Sequence, residues 1–152
     1  HVVITDINPA RLALAVKVAD VTAVNVAQED LRDVMARLKI VQGFDVGLEM
    51  SGNQAALEQM VEALVMGGRI AMLGIGPGKS AVDWSRIVFK ALTIKGVYGR
   101  EIFETWYKMI AMLENGLILR GVITHRFGVD EYQKGFEVMR AGASGKVVLD
   151  WS

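Results

Sequence analysis

Three observations predict an α/β protein built on a parallel sheet. Short β-branched runs alternate with stretches whose apolar residues recur three and four apart. The apolar runs end in glycine or polar residues. No linker or repeat divides the chain. The 152 residues, 52% apolar and 22% charged, suffice for one ordinary domain with its own core and exclude a disordered chain. Seventeen basic and seventeen acidic side chains cancel, so nothing in the charge balance points to nucleic acid or an anionic membrane as partner. The absence of cysteine excludes disulfides, thiolate zinc sites, iron–sulfur ligation and cysteine nucleophiles, and two histidines make a multi-histidine metal site within this chain unexpected. No apolar run reaches the roughly 18 residues of a membrane span and no signal peptide is visible, so the expected location is the cytoplasm. The chain opens on His1, directly inside an apolar run, and is expected to be a piece of something longer.

The elements follow in order. His1–Thr5 reads as a strand. Asn8 can cap a helix with Pro9 in its first turn, carrying Leu12, Ala15, Val16 and Ala19 on one face. Thr22–Val26 is a second strand. Leu31, Val34, Met35 and Leu38 mark a helix that Gly43 ends. Phe44–Met50 is a buried strand, and Leu57, Met60, Val61 and Leu64 a helix stopped by Gly67-Gly68. Arg69–Leu73 is a strand leading into Gly74-Ile75-Gly76-Pro77-Gly78. Asp83 can cap a short helix with Trp84, Ile87 and Val88, before a strand over Leu92–Tyr98. Phe103, Trp106, Tyr107 and Ile110 form a helical stripe ending near Asn115-Gly116, read as core or subunit contact. Val122–Val129 is extended, Asp130 caps a helix with Tyr132, Phe136 and Met139, and Lys146–Trp151 is the last strand. The eight methionines read as core filler.

Ligands of open parallel sheets bind at the carboxyl ends of the strands. Those ends are Asp6, Ser51-Gly52, Gly74–Gly78 and Tyr98-Gly99. Asp6 is the most informative: a carboxylate there can accept hydrogen bonds from both hydroxyls of a ribose and would repel a 2′-phosphate, favouring NAD over NADP. It equally suits the N-terminal end of a helix dipole. A glycine fingerprint for phosphate should precede such an acid by about 20 residues, and only five residues precede Asp6. The 74–80 loop fails as a Walker A motif and as a dinucleotide fingerprint, because Leu73 and Lys79 stand where glycines are needed. It reads as a turn whose backbone can approach a flat ligand, or as an ordinary loop. Glu49, in an apolar strand just before Ser51, is either a perturbed buried carboxylate or a cap or solvent-facing acid. Ser51 lacks the G-x-S-x-G setting of a nucleophile elbow, and His125 lacks a nearby acid or nucleophile pattern.

The runs Val2–Asp6 with Arg11-Leu12, Gly43–Gly52, Gly67–Ile75, Ile94–Glu101 with Phe103–Met109, and Ile123–Phe127 with Gln133–Phe136 and Ser144–Val147 carry a resemblance over essentially the whole chain. It resembles the L-threonine 3-dehydrogenase family, a branch of the zinc-dependent medium-chain dehydrogenases. The resemblance implies a partial Rossmann-type, doubly wound parallel sheet lacking its first strand, with residues 1–116 forming part of the NAD-binding domain. Residues 117–152 would be a strand–helix–strand tail belonging to the catalytic domain. It implies NAD-dependent oxidation of L-threonine to 2-amino-3-ketobutyrate by a homotetramer.

By the same resemblance Asp6 would hold the adenosine ribose, with Arg11 flanking it. Leu73, Gly74 and Ile75 would offer backbone contacts on the nicotinamide side, and Val97 and Tyr98 would close the cofactor pocket. The zinc ligands, the structural cysteine cluster, the proton relay and the glycine fingerprint would lie N-terminal to this segment, so no catalytic residue is assigned in it and it would not catalyse alone. The usual strand order, 3-2-1-4-5-6, would leave the strands at residue 1 and at Phe44 with unpaired apolar edges, and the isolated chain is expected to be poorly stable or oligomeric. The alternatives are a sister alcohol or polyol dehydrogenase, a non-catalytic nucleotide-binding or interaction module, and a methyltransferase, whose S-adenosylmethionine ribose an acid at Asp6 would also suit.

Overall fold

The computed structural model describes all 152 residues. In chain order the elements are β1 (Val3–Asp6), α1 (Pro9–Val18), β2 (Thr22–Asn25), α2 (Leu31–Arg37), β3 (Phe44–Glu49), α3 (Gln54–Ala63) and β4 (Leu64–Met72). There follow α4 (Trp84–Phe89), β5 (Thr93–Gly96), α5 (Glu104–Glu114), β6 (Ile123–Gly128), α6 (Tyr132–Arg140) and β7 (Lys146–Asp150). They form two compact units, residues 1–30 with 102–152, and residues 31–101. Every strand pairing is parallel, as the alternation predicts.

The first unit holds two parallel pairs. β1 lies beside β2, with Val3 opposite Thr22 and Asp6 opposite Asn25. α1 connects them and packs on both, burying Leu12 on its inner face, while Val24 of β2 is fully enclosed. Asn8 caps α1 as expected: its Oδ1 accepts from the N–H groups of Ala10 (2.9 Å) and Arg11 (3.4 Å), satisfying donors that the helix leaves open. β6 and β7 pair through α6, giving the expected strand–helix–strand tail. Gly135 is the buried residue of α6 and faces Phe127, Val147 and Leu149 on these strands.

The second unit is the three-stranded sheet β3-β4-β5. Its core is Leu57, Val61, Leu64, Ile70 and Ile87, with Phe44, Met60, Met72, Val82 and Leu92 packed around it. Asn53 caps α3 and Asp83 caps α4, each through its side-chain oxygen. Within each sheet the order agrees with the 3-2-1-4-5-6 expectation: β1 has a hydrogen-bonded neighbour on one side, β2, and β3 on one side, β4.

Four local expectations are corrected. Helix α3 stops at Ala63, and Gly67-Gly68 lie inside β4 rather than ending the helix. The Lys90 ammonium ends it, donating to the carbonyls of Val61 (3.0 Å), Glu62 (2.6 Å) and Leu64 (2.8 Å). Residues 65–68 then bulge out of the ladder, with Phe44 opposite Leu64 but Val46 opposite Arg69. Asp130 is not a cap: residues 129–131 form a 3-10 turn that runs directly into α6. The α5 stripe is not core, for the helix buries no residue and Trp106 and Tyr107 are exposed. Of the methionines, Met60 and Met72 pack at the core, whereas Met50, Met66, Met109, Met112 and Met139 are exposed.

Candidate functional site

Parallel strands deliver their carboxyl ends to one edge of each sheet, and the candidate residues lie at those ends. In the first unit, Asp6 closes β1. Its Oδ1 accepts from the N–H groups of Ile7 (2.7 Å) and Asn8 (2.8 Å), which turns the chain out of the strand and toward the Asn8 cap. That leaves Oδ2 as the free oxygen, 3.8 Å from the Arg11 guanidinium. Arg11 stands in the first turn of α1 with its side chain 55% exposed, against 28% for Asp6, so the pair is loose and wet. The sequence thus places Asp6 and Arg11 together, and the fold keeps one carboxylate oxygen open.

A small cavity of about 60 Å³ beside this pair is lined by Arg11, Leu14, Thr124 and residues 142–145. Two bonds draw its walls together: Asn8 Nδ2 donates to the Gly142 carbonyl (3.0 Å), and the Gly145 N–H donates to Thr124 Oγ1 (2.9 Å). His125 interacts with its neighbours on β6. Its ring stacks on Phe127 at 6.0 Å and its Nδ1 meets Thr124 Oγ1 at 2.9 Å.

In the second unit Leu73, Gly74 and Ile75 leave β4 beside the end of β3. The N–H groups of Leu73 (2.8 Å) and Gly74 (3.0 Å) both donate to the Glu49 carbonyl. The glycines here serve contact between loops. Gly52 has φ +67°, and a Cβ on it would lie 2.5 Å from the Ile75 carbonyl carbon; one on Gly76 would lie 2.7 Å from the Gly52 oxygen. Val97 follows β5, its N–H donating to the Met72 carbonyl at 2.8 Å, and Tyr98 beyond it is 96% exposed. Val97 and Tyr98 therefore lie past the strand rather than within it.

Sequence reasoning left Glu49 undecided, and the structure decides it. Its side chain is buried. Its Oε1 accepts from Ser51 Oγ (2.5 Å), the Ser51 N–H (2.9 Å) and the Gly52 N–H (3.1 Å), and its Oε2 also from the Gly52 N–H (3.1 Å). Burial pushes its pKa up, but the Ser51 hydroxyl and the N–H groups of Gly52, Ser51 and Asn53 outweigh it and hold the carboxyl below its ordinary value. The available signal was the E-x-S-G spacing, which puts two backbone donors and a hydroxyl within reach of one carboxylate.

No group of three or more His, Cys, Asp or Glu side chains could hold a metal ion, so the residues of this chain do not fit a zinc site. No helix is long and apolar enough to cross a membrane.

The profile of the zinc-binding dehydrogenase family matches residues 1–115. The L-threonine 3-dehydrogenase of Ruegeria pomeroyi is 72% identical over the whole chain. Those of Anaeromyxobacter sp. (strain Fw109-5) and Burkholderia vietnamiensis are 62% and 59% identical over 99% and 100% of it. The chain spans less than half of these relatives, 44–45% of their length. Among solved structures, benzyl alcohol dehydrogenase from Acinetobacter calcoaceticus matches 99% of the chain with a TM-score of 0.86 at 21% identity, over 42% of its own length. An alcohol dehydrogenase from Thermotoga maritima matches 97% with a TM-score of 0.82 at 26% identity, also over 42% of its length. The α/β fold with parallel sheets is therefore of the Rossmann type found in medium-chain dehydrogenases, and this chain belongs to the zinc-binding dehydrogenase family.

Proposed function

We propose that this chain is the cofactor-holding part of an L-threonine 3-dehydrogenase that oxidises the threonine 3-hydroxyl to 2-amino-3-ketobutyrate with NAD. Identity of 59–72% to proteins of that name, along essentially the whole chain, is the observation that carries the reading. Residues 1–116 serve the NAD domain, a division supported by the profile match to 1–115, and residues 117–152 belong with the catalytic domain.

The open Oδ2 of Asp6 suits the ribose hydroxyls, and its negative charge disfavours a 2′-phosphate. Arg11 flanks the adenosine end. Leu73, Gly74 and Ile75 present backbone on the nicotinamide side, while Val97 and Tyr98 close the pocket. NAD, when bound, supplies the hydride acceptor; the residues here bind and orient it. Zinc would be held by residues outside this segment, and no step is assigned to it here. The location is cytoplasmic and the assembly a homotetramer.

Steady-state kinetics of the full-length protein test this reading. NAD reduction should proceed with L-threonine at a kcat/KM at least about tenfold above that with 2,3-butanediol or benzyl alcohol, a margin within the reach of a few specific polar contacts. Preference for a simple alcohol or polyol would move the protein to a sister dehydrogenase, and NAD binding without turnover of any alcohol would leave a nucleotide-binding module.

A further inference from the structure

Glu49 is the one charged side chain buried in this structure, at 2% exposure, and the binding scheme above gives it no role. A buried carboxylate persists where its surroundings satisfy it. Here Ser51 Oγ and the N–H groups of Ser51 and Gly52 converge on it from the loop after β3. From the other side, its main-chain carbonyl takes the N–H groups of Leu73 and Gly74 from the loop after β4. The two loops then meet backbone to backbone, closely enough that a Cβ on Gly74 would collide with Glu49 Oε2 and the Gly52 nitrogen. Side chain and main chain of one residue thus tie both strand-end loops to the end of β3.

We propose that Glu49 is a positioning residue of the dinucleotide site, with Ser51 as its partner, holding Leu73, Gly74 and Ile75 where their backbone meets the nicotinamide. The proposal rests on the NAD reading above. The negative charge is what the arrangement needs: two carboxylate oxygens accept every donor aimed at them, whereas a glutamine amide would turn one NH2 group toward N–H donors.

The test uses the full-length protein and three variants. E49Q should raise the KM for NAD about tenfold and lower kcat, while the KM for L-threonine stays within about twofold, since hydrogen bonds to a charged group are the strong ones. S51A should move the same parameters in the same direction by less, and S51T, which keeps the hydroxyl, should restore them. A lowered Tm with unchanged NAD parameters in E49Q and S51A would overturn the proposal and leave Glu49 a stabilising residue. If E49Q does not fold, the S51A and S51T pair decides on the same readouts. If the wild-type protein uses no dinucleotide, the functional reading fails separately. Amide hydrogen exchange then decides the positioning role. Faster exchange at Leu73 and Gly74 in S51A, with Ile70 unchanged, supports loop fixation; unchanged exchange overturns it.

Discussion

Two carboxylates at strand ends have opposite environments. Asp6 keeps an oxygen open to solvent and a distant arginine, which suits a ligand that comes and goes. Glu49 is sealed and saturated, which suits a fixed charge. The sealed group has a consequence for acid stability. Its carboxyl titrates below the ordinary 4.5 in the folded protein, so the stabilisation it contributes is complete above that pH and is lost as pH falls through the folded value. The denaturant midpoint of the wild type should therefore drop more steeply below pH 4.5 than that of E49Q; parallel acid limbs would contradict the assignment. Asp6 was legible in the sequence because an acid closing an apolar strand stands out. Glu49 was not, because apolar Val46 and Leu48 take the exposed face of β3 while the carboxylate takes the buried one, the reverse of what polarity suggests, and most of its donors are backbone groups that no side-chain pattern reveals. The Gly74–Gly78 loop was legible as a turn, read as open to a flat ligand or as ordinary, while the close backbone approach in the structure is to another loop. Its partner, the Gly52 loop, emerges from the contact between two strand ends.

Among the helices, the caps at Asn8 and Asp83 were readable, because an N-cap is settled by a side chain and the next two or three amides. Asn53 caps α3 without having been singled out, and Asp130 is no cap because a 3-10 turn carries the chain straight into α6. The end of α3 was not readable. Leu64 continues the helical spacing, yet it opens β4, because the helix's last carbonyls are taken by Lys90, a residue 26 positions further on. Replacing Lys90 by methionine keeps the aliphatic stem and removes three donors. It should cost about 1.5–3 kcal/mol, the range for hydrogen bonds to a charged group, read as a lower denaturant midpoint. A change below about 0.5 kcal/mol, the usual spread of surface substitutions, would mean that water replaces the ammonium. The α5 stripe was read as core or subunit contact, and the structure removes the core half of that reading: helical spacing identifies an apolar face but not what covers it, and Trp106 and Tyr107 are exposed.

At the scale of the whole molecule, the parallel architecture followed from alternation alone, and the pairings β1-β2 and β3-β4-β5 agree with a doubly wound order. Both β1 and β3 keep one edge without a strand neighbour, and exposed Ile4, Val46 and Leu48 lie on those strands. Family membership rests on a profile over residues 1–115 and on relatives more than twice the length of this chain.

Recognition of NAD at these strand ends, with Asp6 on the ribose, is proposed above and can be measured directly. Calorimetric titration of the full-length protein with NAD and NADP, wild type against D6N, tests it most directly. The wild type should bind NAD in preference to NADP, and D6N should weaken NAD by about 10- to 100-fold, the equivalent of about 1.5–3 kcal/mol for hydrogen bonds to a charged group, while narrowing the preference. Equal affinity of wild type and D6N for NAD, or a wild type that prefers NADP, would contradict it.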